Sequence, residues 1–214
     1  VSGSTIEQPR DVLERGITTL SLALSNGTLE TLDRYLDLIV KWNAVHNLTA
    51  IRDKHEMVTH HLLDSLAAAP HVPSRAKLLD VGSGAGLPGL PLALARSDLD
   101  VFLLDSNQKK TAFLQQAIAT LPVPNARTMA TRVEDWLPAE RFDVIISRAF
   151  SELADFLKLT RHLAAPNGRW FAMKGVYPHE ELARLPAGFA LERAVRLDVP
   201  GLAAQRHLLI LASQ

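Results

Sequence analysis

The chain has 214 residues, of which 47% are hydrophobic and 21% charged, a globular composition that excludes a mainly disordered polymer. Its 23 Lys and Arg balance 23 Asp and Glu, so overall basicity cannot carry nucleic-acid binding, and any such surface must be local. Cysteine is absent, which excludes disulfides, thiolate metal sites and a cysteine nucleophile.

The pattern divides near residue 75 into a helical extension, 1–75, and a second domain, 76–214. Residues 1–4 have neither the basic start nor the apolar stretch of a signal peptide, and no apolar run approaches membrane-spanning length. Leu13, Ile17, Leu20 and Leu24 recur at helical spacing, with Asn26-Gly27 as the expected closing cap. Leu32, Leu36, Ile39 and Val40 predict a second helix over about 29–45. Asp53 is an N-cap for a third helix, and Leu62, Leu63 and Leu66 mark a fourth that ends before Pro70. Beyond residue 75, strand-like runs at 77–81, 101–105, 126–130, 143–147 and 169–174 alternate with helix-like stretches at 89–96, 107–120 and 151–164. Such alternation predicts a parallel sheet covered on both faces. Two further strands, 189–198 and 206–212, are joined by a loop containing Pro200-Gly201, which predicts a hairpin and an antiparallel last strand.

The first strand runs into Asp80-Val81-Gly82-Ser83-Gly84-Ala85-Gly86-Leu87-Pro88-Gly89. Glycines admit positive φ and let a ligand approach the backbone, and such a loop sits where ligands bind in open α/β sheets. Asp105 ends the second strand, placed to accept hydrogen bonds from both hydroxyls of a ribose or to cap the following helix. Gly84, Gly86 and Gly89 formally satisfy G-x-G-x-x-G, so a dinucleotide is one reading. The D-x-G-x-G-x-G run from Asp80 instead resembles the first motif of class I methyltransferases that use S-adenosyl-L-methionine.

Without cysteine, methylation at pyrimidine C5 lacks its usual nucleophile. Without a Pro-Pro pair, the usual motif for exocyclic amino groups is missing. The fourth strand ends in Ser147-Arg148-Ala149-Phe150, a sequence consistent with a ring-nitrogen acceptor, which has no proton to lose and needs alignment more than a base. Arg148 could pair with the methionine carboxylate, hold RNA phosphate, stack on a base or be an ordinary surface arginine. His55 and His60 are five apart, off a common helix face, which argues against a metal site. Trp42 and Trp136 read as core residues. Asn47-Leu48-Thr49 reads as a turn between helices near the mouth of the site.

The combination of Lys41-Trp42-Asn43, Asn47-Leu48-Thr49, His61-Leu62-Leu63-Asp64-Ser65, the glycine loop, Leu104-Asp105-Ser106, Arg132-Val133-Glu134, Ser147-Arg148-Ala149-Phe150, Lys174-Gly175 and Arg206-His207-Leu208 resembles the ribosomal RNA small subunit methyltransferase G family, also called glucose-inhibited division protein B. One departure is His60 beside His61. The resemblance implies a class I, Rossmann-like α/β fold with a seven-stranded sheet whose last strand is antiparallel. It implies methyl transfer from S-adenosyl-L-methionine to N7 of a guanine in 16S rRNA, guanine 527 in standard rRNA numbering. The expected setting is cytoplasmic, on the small ribosomal subunit or its precursor, with no membrane and no metal. By the resemblance, Gly82 and Leu87 contact the cofactor, Val133 and Glu134 lie beside the adenine, and Arg148 is a cofactor-site arginine. Its place at the end of the fourth strand, near the expected methyl donor, further suggests that it orients cofactor and guanine without a general base. The loop and strand argument adds Gly84, Gly86 and Asp105. Candidate RNA-binding cations are Arg52, Lys54, Lys77, Lys109, Lys110, Arg148, Lys174 and Arg206. Two rivals remain at this point, an NAD-binding oxidoreductase and a non-catalytic rRNA-binding module.

Overall fold

The computed structural model describes residues 7–148, Phe150 and residues 152–214. Residues 1–4 and Ala149, named above, lie outside the described residues. Two amphipathic helices come first, α1 (Pro9–Thr19) and α2 (Asn26–His46). Helix α1 buries Leu13 and Ile17, one turn apart, and stops because Ser21 takes φ 56°. The expected role of Asn26-Gly27 as its C-terminal cap is therefore corrected. The Thr28 amide donates to Ser25 Oγ at 3.1 Å, so Ser25 is the N-cap of α2, and Asn26-Gly27 form its first turn. Asn47, at φ 48°, closes α2 in the left-handed conformation. Asp53 caps α3 (Lys54–Met57) as the sequence predicts, accepting from the Glu56 amide at 3.0 Å. A π-helical segment (Val58–Leu63) and α4 (Asp64–Leu66) continue directly from it. Pro70 then enters a 3₁₀ turn (Ala69–His71).

The remaining elements are β1 (Lys77–Val81), α5 (Gly89–Ala95), β2 (Asp100–Asp105), α6 (Gln108–Thr120), β3 (Ala126–Ala130), β4 (Phe142–Arg148), α7 (Leu153–Thr160), β5 (Ala164–Lys174), α8 (His179–Ala183), β6 (Phe189–Arg196) and β7 (His207–Ser213). They build one seven-stranded sheet in the order β3-β2-β1-β4-β5-β7-β6. The first five strands are parallel, and β7 runs antiparallel to both β5 and β6, as the hairpin reading requires. Strand β5 starts at Ala164, earlier than expected, because Ala164 pairs with Phe142 across a register shift.

Both faces of the sheet are covered. Leu78, Val101, Leu103 and Ile146 point to one face and pack with α1, α2, α5, α6 and the π segment through residues such as Leu32, Leu36, Leu62, Leu90 and Phe113. Their neighbours Leu79, Phe102, Leu104 and Ile145 point to the other face and meet Leu153, Phe156 and Leu157 of α7. The period-two alternation thus feeds two cores, and residues before 75 share a continuous core with the first face. Because β2 and β4 flank β1 on opposite sides, the connections after β1 and β4 diverge and open a crevice at the carboxyl ends of the strands.

Candidate active site

The loop after β1 is held from three directions. Gly82 and Ser83 extend the ladder to β2 by donating their amides to Leu104 O at 2.8 and 3.1 Å. The Gly84 amide donates to Asp105 Oδ2 at 2.9 Å, and the Gly89 amide to Asp80 Oδ2 at 2.9 Å. From α2, the fully buried Tyr35 hydroxyl donates to Ala85 O. Gly82 and Gly84 adopt φ 71° and 60°, a region that costs residues with a Cβ. At Gly82 a Cβ would meet nothing within 4 Å, so open space lies directly against this backbone.

Three cavities adjoin along the carboxyl edge of the sheet. The first, about 200 Å³, is lined by Gly82, Asp105, Ser106, Arg132, Val133 and Glu134, among others. The second, about 140 Å³, is lined by Leu48, Thr49, Gly82, Ser83, Gly84, Ala85, Leu87 and Arg148. The third, about 430 Å³, is lined by Ile51, His60, His61, Asp64, Arg148, Met173, Lys174, Gly175 and Arg206. Gly82 is common to the first and second, and Arg148 to the second and third.

The structure therefore brings Gly82, Gly84, Leu87, Asp105, Val133, Glu134 and Arg148 into one crevice. Gly86 lines none of these cavities. A Cβ there would lie 2.9 Å from Leu114 Cδ2 and 3.2 Å from the Tyr35 hydroxyl, so its position answers to packing beneath the loop. Asp105 has one oxygen on the Gly84 amide and the other on the Asn107 amide at 2.8 Å, so it shapes the loop as well as facing the first cavity. Residues that the motif reading did not assign to the site also contribute. Leu48 and Thr49 close the second cavity, so the predicted turn is part of its wall, and Ser106 and Arg132 border the first.

Charge in the crevice is strongly organised. Asp80 is fully buried, with Oδ1 unpartnered, and burial pushes its carboxyl up to about 7 against the opposing hydrogen bond from Gly89. His61 is pushed down to about 4 by burial and by the Arg148 charge, which keeps it neutral near pH 7. Its Nε2 lies 2.9 Å from Thr49 Oγ1. Arg148 Nη1 donates to His60 O at 2.8 Å and to Asp64 Oδ2 at 2.9 Å. Lys174 pairs with Glu181 at 2.8 Å.

Several candidate RNA cations are engaged within the protein. Arg52 donates to Asn43 O, Lys54 bridges Asp33 and Asp37, and Lys77 pairs with Glu140. Lys109 and Lys110 have no ion-pair partner among the described residues. Trp42 packs edge-on to Phe113 at 5.7 Å and Trp136 lies 5.6 Å from Phe142, so both pack against the core. No group of residues suited to a metal ion occurs among the described residues, nor a helix long and apolar enough to cross a membrane.

The profile of the family described as rRNA small subunit methyltransferase G matches residues 28–209. The chain belongs to the rRNA small subunit methyltransferase G family. Relatives carrying the name ribosomal RNA small subunit methyltransferase G include one from Chromobacterium violaceum, 53% identical over 94% of this chain and 97% of that protein. Another, from Methylobacillus flagellatus, is 54% identical over 94% of this chain and 97% of that protein. Among solved structures, the glycopeptide N-methyltransferase MtfA in complex with S-adenosyl-L-homocysteine aligns with a TM-score of 0.62 at 11% identity, over 72% of this chain and 87% of that one. A SAM-dependent methyltransferase from Aquifex aeolicus aligns with a TM-score of 0.55 at 19% identity, over 72% and 91%. At these identities the structural matches establish the class I fold, while membership of the methyltransferase G family rests on sequence.

Proposed function

We propose that this chain transfers a methyl group from S-adenosyl-L-methionine to N7 of a guanine in 16S rRNA, guanine 527 in standard numbering, in the cytoplasm, on the small ribosomal subunit or its precursor. The observation that carries this reading is the row of three cavities joined at Gly82 and Arg148. Family membership and the names of the relatives supply the substrate.

The residues present fit the cofactor. Open space faces Gly82 where a Cβ would otherwise project. Each oxygen of Asp105 accepts one backbone amide and keeps a lone pair for a ribose hydroxyl. Val133 and Glu134 border the same cavity and are assigned to the adenine. Gly84, Leu87 and Arg148 border the next and are assigned to the methionine end. When bound, the cofactor supplies an electrophilic methyl group on a sulfonium.

The third cavity is assigned to the acceptor base, with Arg148 on the boundary where the two substrates meet. A guanine N7 lone pair needs no proton removed, so the site works by alignment, and the neutral His61 is not required as a base. The segment from Leu48 to Asp64 walls one side of the site, and residues 76–214 act as the catalytic domain.

The test is methyl transfer from labelled cofactor to 16S rRNA, naked and in small subunits, with mapping of the modified base. Label at N7 of one guanine is expected, and Arg148→Ala should lower kcat roughly a hundredfold. That loss is larger than the fall in melting temperature that follows from leaving the buried Asp64 with one arginine can account for. Binding to the particle without transfer, or label on another atom, overturns the reading.

A further inference from the structure

Asp64 is 2% exposed and spends both carboxylate oxygens on arginines from distant parts of the chain. Arg148 Nη1 reaches Oδ2 at 2.9 Å, and Arg206 Nε reaches Oδ1 at 3.0 Å. Two guanidinium charges face one carboxylate, which leaves one net positive charge at the wall of the third cavity. Lys174 adds none, because Glu181 neutralises it.

The local backbone makes this arrangement possible. Asp64 follows a π-helical segment, a widened turn that often marks functional sites. The same segment turns His60 O toward Arg148, which fixes that guanidinium at a second point. Arg206 spends two of its five N–H donors, on Asp64 and on Gln205 O at 2.8 Å. Its remaining donors belong to a side chain that is 23% exposed and lines the cavity.

We propose that Asp64 is a positioning residue that holds Arg148 and Arg206 in register, so that the free N–H groups of Arg206 receive a phosphodiester of the RNA strand beside the methylated guanine. This rests on the function proposed above. A guanidinium fork laid on the guanine edge would cover N7, the atom that must attack. It would also oppose the positive charge that the base acquires on methylation. A phosphodiester has neither defect, and its planar pair of oxygens matches the fork of an arginine.

The experiment measures methyl-transfer kinetics on small ribosomal subunits between about 50 and 200 mM salt, with S-adenosyl-L-homocysteine affinity measured by calorimetry. Arg206→Gln should raise KM for the particle roughly ten- to a hundredfold and reduce the log–log salt slope by about one, with the calorimetric affinity unchanged. Arg206→Lys should keep the slope but raise KM, because an ammonium cannot hold Asp64 and phosphate together. Asp64→Asn should raise KM for the particle severalfold more than it weakens the calorimetric affinity, because Arg148 keeps its bond to His60 O while Arg206 loses its side-chain anchor. A purely structural role would instead weaken both equally along with the melting temperature. An active wild type beside an Arg206→Gln variant with unchanged KM and slope overturns the inference alone. A loss of calorimetric affinity in Arg206→Gln also overturns it, by assigning that arginine to the cofactor. A wild type that transfers no methyl group overturns the proposed function, and the inference with it.

Discussion

Single side chains in this crevice carry two duties at once. Asp105 both shapes the glycine loop, through the Gly84 and Asn107 amides, and faces the first cavity. Its removal takes away a charged acceptor and also frees the loop. Asp105→Ala should therefore weaken S-adenosyl-L-homocysteine binding roughly ten- to a hundredfold by calorimetry, with Asp105→Asn falling between. Its position was legible in the sequence, because an acidic residue at the end of a second strand is a local signal. Arg148 was legible in the same way, as the end of the fourth strand. Its contacts with His60 and Asp64 were not, since they cross 88 and 84 residues and leave no periodic trace.

Helix α2 acts on the loop across a comparable gap. Tyr35 donates to Ala85 O, 50 residues away, from a position the sequence presents only as one more residue on a buried face. Tyr35→Phe leaves that carbonyl without its partner beneath the loop. Chemical denaturation should show a loss of about 1–3 kcal/mol, accompanied by weaker cofactor binding. Most of the strands were legible because they show a short apolar run with turn residues on either side. The boundary between α1 and α2 was misread for a physical reason. Asn-Gly serves equally as the end of one helix or the first turn of the next, and Ser25, which decides between them, bonds forward to Thr28. Nothing in the sequence foretells that Val58–Leu63 winds as a π-helix, because its apolar residues suit an ordinary helix equally well.

For the molecule as a whole, two buried groups pull stability in opposite directions with pH. Asp80 has its carboxyl raised from 3.8 to about 7, so its contribution is full below 3.8 and lost as pH rises through 7. His61 is lowered from 6.5 to about 4, so its contribution is full above 6.5 and lost as pH falls through 4. Burial lowers His71 as well, in the same sense as His61. Over the shared window, between about 4 and 6.5, the proton retained by Asp80 offsets the proton refused by His61. Asp80→Asn removes one side of this balance. Its melting temperature should fall more steeply than that of the wild type between pH 7 and pH 5, read by thermal scanning. Parallel curves for the two proteins would show that Asp80 does not titrate in this range.

The place of β7 between β5 and β6 has a consequence for how the molecule comes into being. During synthesis, the two outer strands emerge before the one that must separate them, so their edges wait unpaired and exposed to wrong partners. Arg206 lies immediately before β7, and its carboxylate anchor emerged 142 residues earlier. The third cavity therefore gains its Arg206 wall only when the late strand slides home. A nascent chain still short of that point has the residues of the glycine loop but not the complete wall of the cavity proposed for the base.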